Sequence, residues 1–218
     1  MTVSVRNRMG MMAAMGAAIA LTAGAMISST AEASPIVGQA APDFSVVDAQ
    51  GTVRSLDEFK GSKVILEWTN HGCPFVQKHY DDTHSNMQSL QSEAKADGVV
   101  WLTVLSSAPG KQGYLDGAGA MDQAEATGAT PSHILLDPTG TMGKAYDAKT
   151  TPHMFIIDDD EAQTLVYAGA IDDRPGTNPA EIPNARNYVK GARASLESGE
   201  VIDPATTKPY GCSVKYAS

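Results

Sequence analysis

The sequence predicts an α/β fold around one mixed sheet, and three observations carry that expectation. Lys63–Thr69 (Lys-Val-Ile-Leu-Glu-Trp-Thr) and Val99–Ser106 (Val-Val-Trp-Leu-Thr-Val-Leu-Ser) are apolar runs of strand length and read as buried strands. A helix-like stretch from Pro74 to about Ala96, closed by Asp97-Gly98, joins them as a crossover helix would. Further on, His153–Asp158 and Leu165–Gly169 flank an acidic turn at Asp158–Glu161 as a hairpin pair, which makes the sheet mixed.

The remaining elements follow in chain order. Pro35–Ser45 is an extended lead-in, with Ala41-Pro42-Asp43-Phe44 entering a short strand. Asp48-Ala49-Gln50-Gly51 is a turn, so Ser45–Val47 and Thr52–Arg54 pair as a hairpin. Ser55-Leu56-Asp57-Glu58 has capping-box spacing and opens a short helix. Ala108–Gly128 is polar and Gly-rich, a loop with a helix around Met121–Thr127. His133–Leu136 is a strand, Asp137–Gly140 a turn, and Thr141–Tyr146 one or two helical turns. Asn184–Ser198 reads as a helix, and the tail from Val201 carries Pro204, Pro209 and Gly211.

Residues 1–33 have the pattern of a cleaved secretory signal: basic Arg6 and Arg8, an uncharged Ala/Met/Gly-rich run from Met9 to Ile27, then Ala31-Glu32-Ala33. The length of the run leaves an uncleaved membrane anchor as the alternative. No cysteine stands near the cleavage site for lipidation, and Asn7 separates the two arginines of a twin-arginine motif. The expected mature chain, 34–218, has the size of one domain ending in a cysteine-containing tail, placed across the inner membrane in the periplasm without stable membrane insertion. Losing two arginines and one glutamate takes its formal charge from −9 to −10. An acidic chain without basic clusters makes no case for nucleic acid as a partner. Both cysteines, Cys73 and Cys212, fall in the exported part, where disulfides persist.

Cys73 is the most informative residue. Strand-like Lys63–Trp68 breaks at Asn70-His71-Gly72, and Cys73-Pro74 then opens a helix, with Pro74 at the position where a missing N–H costs nothing. That makes Cys73 the N-cap, where free backbone N–H groups favour an anion, and the thiolate is the nucleophilic form of cysteine.

These motifs together resemble the thioredoxin-like superfamily, in its exported redoxin (AhpC-TSA-like) branch near the peroxiredoxins and the periplasmic thiol-disulfide oxidoreductases. Ala41–Phe44 resembles the family's N-terminal entry, and Lys63–Thr69 with Cys73-Pro74 its first core strand and active-site helix. Leu135–Gly140 with Ala145-Tyr146 is similar to the segment before its cis-proline, Thr151–Asp158 to the cis-proline loop and strand, and Val166–Asp173 to the strand that follows. The resemblance implies a three-layer sandwich with a central mixed sheet. It also implies a cis Pro152 that, with Thr151, presents a backbone edge to a bound disulfide or peptide, and no cofactor.

The departures bear on the chemistry. Val76 stands where thioredoxins have their second cysteine. Leu66 and Asn70 stand where peroxiredoxins have the proline and threonine of their peroxide motif, and Pro152 and His153 occupy the region of their arginine. Thr69 is one residue out of register with that threonine. Disulfide exchange is therefore favoured over peroxide reduction, with a protein thiol or disulfide, or a small peroxide, as partner and an external thiol as reductant.

Several residues carry two readings. Cys212 is a resolving cysteine presented by a mobile tail or half of a structural clamp, whose loop of more than 100 residues gives roughly 4–5 kcal/mol in the chain-entropy model. Glu67 is a buried proton-relay acid, as the resemblance implies, or a strand residue pointing to solvent. His153 tunes the thiol, binds metal or does neither. Cys73, His153 and His71 are the ligands of an alternative copper-binding or delivery function, whereas His79 and His84 read better as a solvated helix face. Trp68 and Trp101 read as core, and Asp172-Asp173-Arg174 as a loop with a local ion pair.

Overall fold

The computed structural model describes residues 1–3 and 35–217; the expected leader, apart from its first three residues, lies outside them. Strands β1 (Ser45–Asp48) and β2 (Val53–Ser55) form the expected hairpin. The Asp48 carboxylate draws the turn tight by accepting the N–H groups of Gln50 and Thr52. In the capping box, the Glu58 carboxylate accepts the Ser55 N–H at 2.8 Å and starts a 3-10 turn at Leu56–Phe59. Next come β3 (Val64–Trp68), α1 (Pro74–Gln77), α2 (Asn86–Ala96), β4 (Val100–Leu105), α3 (Gly117–Ala126), β5 (His133–Leu136) and α4 (Thr141–Ala145). The chain closes with β6 (Thr150–Thr151), β7 (His153–Ile157), β8 (Leu165–Gly169), α5 (Tyr188–Ser198) and β9 (Cys212–Ser213).

Seven strands form one sheet in the order β2-β1-β5-β4-β3-β7-β8. β3 runs parallel to β4, and β4 to β5, while β7 and β8 add antiparallel, so the sheet is mixed as expected. Period-two alternation along β3 sends Val64, Leu66 and Trp68 to one face and Ile65 to the other. The first face packs Leu56, Phe59, Met142 and Tyr146. The second packs Met87, Leu90 and Ala94 of α2 and Val189 and Ala192 of α5. Trp68 and Trp101 are core residues. No helix among the described residues is long and apolar enough to cross a membrane.

The long helix expected from Pro74 to Ala96 is broken in two. After one α turn the chain tightens into a 3-10 turn at Lys78–Tyr80, and Asp81 becomes extended. The Asp81 carboxylate accepts the Thr83 N–H at 3.0 Å, taking a backbone donor that a continuing helix needs. Ser85, with φ at +46°, turns the chain back before α2 begins. α3 starts earlier than expected because Asp116 caps it, accepting the Gly119 N–H. α5 starts later, at its Asn187 cap, and Pro179–Asn184 is a separate 3-10 turn. The pairing of β6 with β9 was not anticipated, and it places the tail at the candidate site.

Candidate active site

Cys73 lies just beyond the C-terminal end of β3, in a loop held by its own side chains. Asn70 Oδ1 accepts the Gly72 N–H at 2.9 Å, and the Asn70 carbonyl accepts the Cys73 N–H at 2.9 Å. The Cys73 carbonyl takes the N–H groups of Val76 and Gln77, so Cys73 is the N-cap of α1 with the exposed Pro74 in the first turn. Because α1 is one turn long, any electrostatic help to the sulfur comes from nearby N–H groups rather than from a long helix.

The Thr151–Pro152 peptide is cis, as the resemblance implied. The Cys73 thiol donates to the Thr151 carbonyl at 3.2 Å. Across β6 and β9, Thr151 is in register with Cys212, whose thiol and N–H reach the Cys73 sulfur. The four positions Cys73, Thr151, Pro152 and Cys212 are thus brought together, with both cysteines as free thiols. Cys73 is fully buried and Cys212 partly exposed. Burial works against ionising Cys73, but hydrogen bonds from the Cys212 thiol, the Cys212 N–H and the Val76 N–H outweigh it and hold the thiol below its usual range. Burial and the adjoining Cys73 sulfur push Cys212 the other way.

The tail carrying Cys212 is tied down along its length. Thr207 N–H reaches the Ala168 carbonyl and its hydroxyl accepts the Ala170 N–H. Val214 N–H donates to the Lys149 carbonyl, and the Tyr216 hydroxyl to the Ala148 carbonyl at 2.7 Å. Gly211, at φ +134°, lies so close to β6 that a Cβ would stand 2.0 Å from the Thr151 carbonyl oxygen. Where the sequence leads us to expect a mobile tail, the structure shows one held in place at these points.

Glu67 shares the Ile65 face of β3 and is fully buried, which overturns the solvent-pointing reading. Its carboxylate accepts from Tyr80 Oη (2.8 Å), Trp101 Nε1 (2.9 Å), Gln91 Nε2 (3.2 Å) and Thr103 Oγ1 (3.2 Å). Desolvation raises its pKa against those donors. Its hydrogen bonds run to this cluster and not to Cys73.

The histidines are dispersed. His153 packs its ring on Phe155 at 4.3 Å, its Nδ1 accepts the Lys149 N–H, and burial lowers its pKa to about 3. His71 gives its carbonyl to Gln77, while its buried Nδ1 has no hydrogen-bond partner. Among the described residues no group of three or more His, Cys, Asp and Glu side chains is arranged to hold a metal ion. His79 is not on a solvated face. The 3-10 turn rolls Lys78 and His79 inward onto Asp172, at 3.5 and 3.9 Å. Burial lowers the pKa of His79 to about 4. Tyr210, two residues before Cys212, donates to Asp172 Oδ1 at 2.5 Å.

The sequence reading did not single out Tyr210, Lys78 or the spacing role of Gly211. Tyr-Gly immediately before a cysteine was the available signal, but a buried lysine has no signature when its aspartate is 94 positions away.

A family model described as AhpC/TSA matches residues 37–166. The chain belongs to the AhpC/TSA family. An uncharacterized conserved protein from Geobacillus kaustophilus is 27% identical with a TM-score of 0.68, covering 84% of this chain and 93% of that one. A hypothetical protein from Sinorhizobium meliloti is 25% identical with a TM-score of 0.67, covering 85% and 97%. The thioredoxin domain of a thiol-disulfide oxidoreductase from Bacteroides vulgatus aligns at 18% identity with a TM-score of 0.49, covering 69% and 98%. A comparison with curated proteins finds no match. The AhpC/TSA chain has the thioredoxin-like three-layer sandwich that its motifs predict.

Proposed function

We propose that this protein is an exported thiol-disulfide oxidoreductase in which Cys73 is the nucleophile and Cys212 the resolving cysteine. The observation that carries the reading is the Cys73 thiol on the Thr151 carbonyl beside the cis Pro152, with Cys212 in register with Thr151 and its thiol at Cys73, the Cys73 pKa being pulled down and the Cys212 pKa pushed up. The Cys73 thiolate attacks one sulfur of a substrate disulfide, forming a mixed disulfide and expelling the other sulfur as a thiolate. Cys212, losing its proton to that thiolate or to solvent, attacks the Cys73 sulfur and releases the second substrate thiolate. The Cys73–Cys212 disulfide left behind is reduced by an external dithiol, so two electrons pass from that dithiol to the substrate. Glu67, whose pKa is raised by burial, is the candidate proton reservoir behind the site.

Copper delivery has less support, because the His153 ring is packed on Phe155 with its Nδ1 already accepting the Lys149 N–H. The test is thiol titration of the reduced protein before and after a model disulfide or a peroxide. Consumption of two thiols by the disulfide, lost in Cys73→Ser, supports exchange. Consumption by peroxide alone moves the reading to a peroxidase, and exchange unaffected by Cys73→Ser ends it.

A further inference from the structure

Residues 208–213 span two fixed points, the Thr207 contacts with β8 and the Val214 N–H bond to Lys149. Between them the chain is held by the two-residue β6–β9 ladder and by Tyr210. A ladder of two residue pairs is marginal alone. Tyr210 is fixed more firmly. Its hydroxyl donates to the buried Asp172 carboxylate and lies 3.1 Å from His79 Nε2, and its ring sits under Lys78 Nζ at 5.6 Å and beside Phe75 at 6.1 Å. Lys78 and Phe75 belong to the turns that follow Cys73, so Tyr210 ties the tail to the same segment that carries the nucleophile. Asp172 is held in turn by the Arg174 N–H at 2.9 Å, and Lys78 donates to the Arg174 carbonyl at 2.6 Å.

We propose that Tyr210 is a positioning residue that latches the tail onto Asp172, and that the latch both covers Cys73 and holds Cys212 against it. Cys73 is fully buried with the latch closed. A substrate disulfide therefore reaches Cys73 after Tyr210 leaves Asp172 and the 208–213 span lifts, and re-latching returns Cys212 for the resolving step. The second half of this proposal rests on the thiol-disulfide reading above; the covering role does not.

Tyr210→Phe keeps the ring and removes the hydroxyl. In a Cys212→Ser background, it is expected to speed alkylation of Cys73 by iodoacetamide about tenfold, the scale of losing a hydrogen bond to a charged group. In the two-cysteine protein it is expected to make the Cys73–Cys212 disulfide about tenfold easier to reduce by dithiothreitol, a potential about 30 mV less negative. Asp172→Asn, which keeps an oxygen for Tyr210 but loses the charge, is expected to fall between, and it carries the test if Tyr210→Phe does not fold. A merely structural tyrosine lowers the melting temperature and leaves both readouts unchanged, and either readout unchanged in a folded variant overturns the proposal. If no Cys73–Cys212 disulfide forms in the parent protein, the thiol-disulfide reading fails, while the alkylation rates still report on the cover.

Discussion

The thiol of Cys73 donates to the carbonyl oxygen of Thr151 at 3.2 Å, across 78 positions of sequence. That carbonyl belongs to the residue before the cis Pro152, and Thr151 is also the register partner of Cys212. One residue of a two-residue strand thus contacts Cys73 and pairs with the strand that carries the second thiol. It explains how a chain lacking a Cys-x-x-Cys pair presents two neighbouring thiols.

Gly211→Ala tests that approach directly. Its Cβ would meet the Thr151 carbonyl oxygen at 2.0 Å, on backbone at φ +134°. We expect β9 to leave β6, a stability loss of about 1–3 kcal/mol, and much slower formation of the Cys73–Cys212 disulfide under diamide. Unchanged oxidation with an unchanged thermal melt would show that the two strands need not touch.

Gly143→Ala tests the far end of the tail. A Cβ there would stand 2.4 Å from the Tyr216 hydroxyl and 2.9 Å from Ser106 Oγ. Displacing Tyr216 is expected to cost roughly 1–3 kcal/mol and to open the last residues to carboxypeptidase. Equal digestion of variant and parent proteins counts against Tyr216 as an anchor.

Stability should fall on acidification because His79 and His153 are buried in neutral form, with pKa values lowered to about 4 and about 3. In the unfolded chain both bind protons near pH 6.5. Their contribution is fully present above that value and is lost as pH drops toward the folded pKa values, on the order of 2–5 kcal/mol for each. Urea melts from pH 7 to pH 4.5 should show the decline, and His153→Gln should flatten it. A His153→Gln variant with the parent's slope would contradict this account.

Glu67 has the opposite sign. Its raised folded pKa favours the folded state at low pH, and this contribution fades as pH rises through that pKa. Glu67→Gln should remove that fading and, if Glu67 is the proton reservoir, lower the rate of disulfide exchange about 3- to 10-fold with an altered pH profile. A parent-like profile would leave the acid a structural role.

Much of the fold was legible because its signals are local. The apolar runs of β3 and β4, the Asp48–Gly51 turn, the Ser55–Glu58 box and the Cys73-Pro74 helix start each depend on a few adjacent residues. The helix break at Asp81 was less visible, since Asp-Asp-Thr-His-Ser is tolerated in a helix until its side chains compete for the backbone.

By itself the sequence determined a mixed α/β sandwich, a cysteine at a helix start and a proline loop fit to face it. Tertiary structure alone decided that the strand carrying Cys212 pairs beside Thr151, that Glu67 points inward, and that Lys78 and His79 are buried on Asp172. Those outcomes depend on pairing segments tens to more than a hundred residues apart. Such pairing is selected by the total burial and hydrogen bonding of the folded chain, which no local pattern encodes.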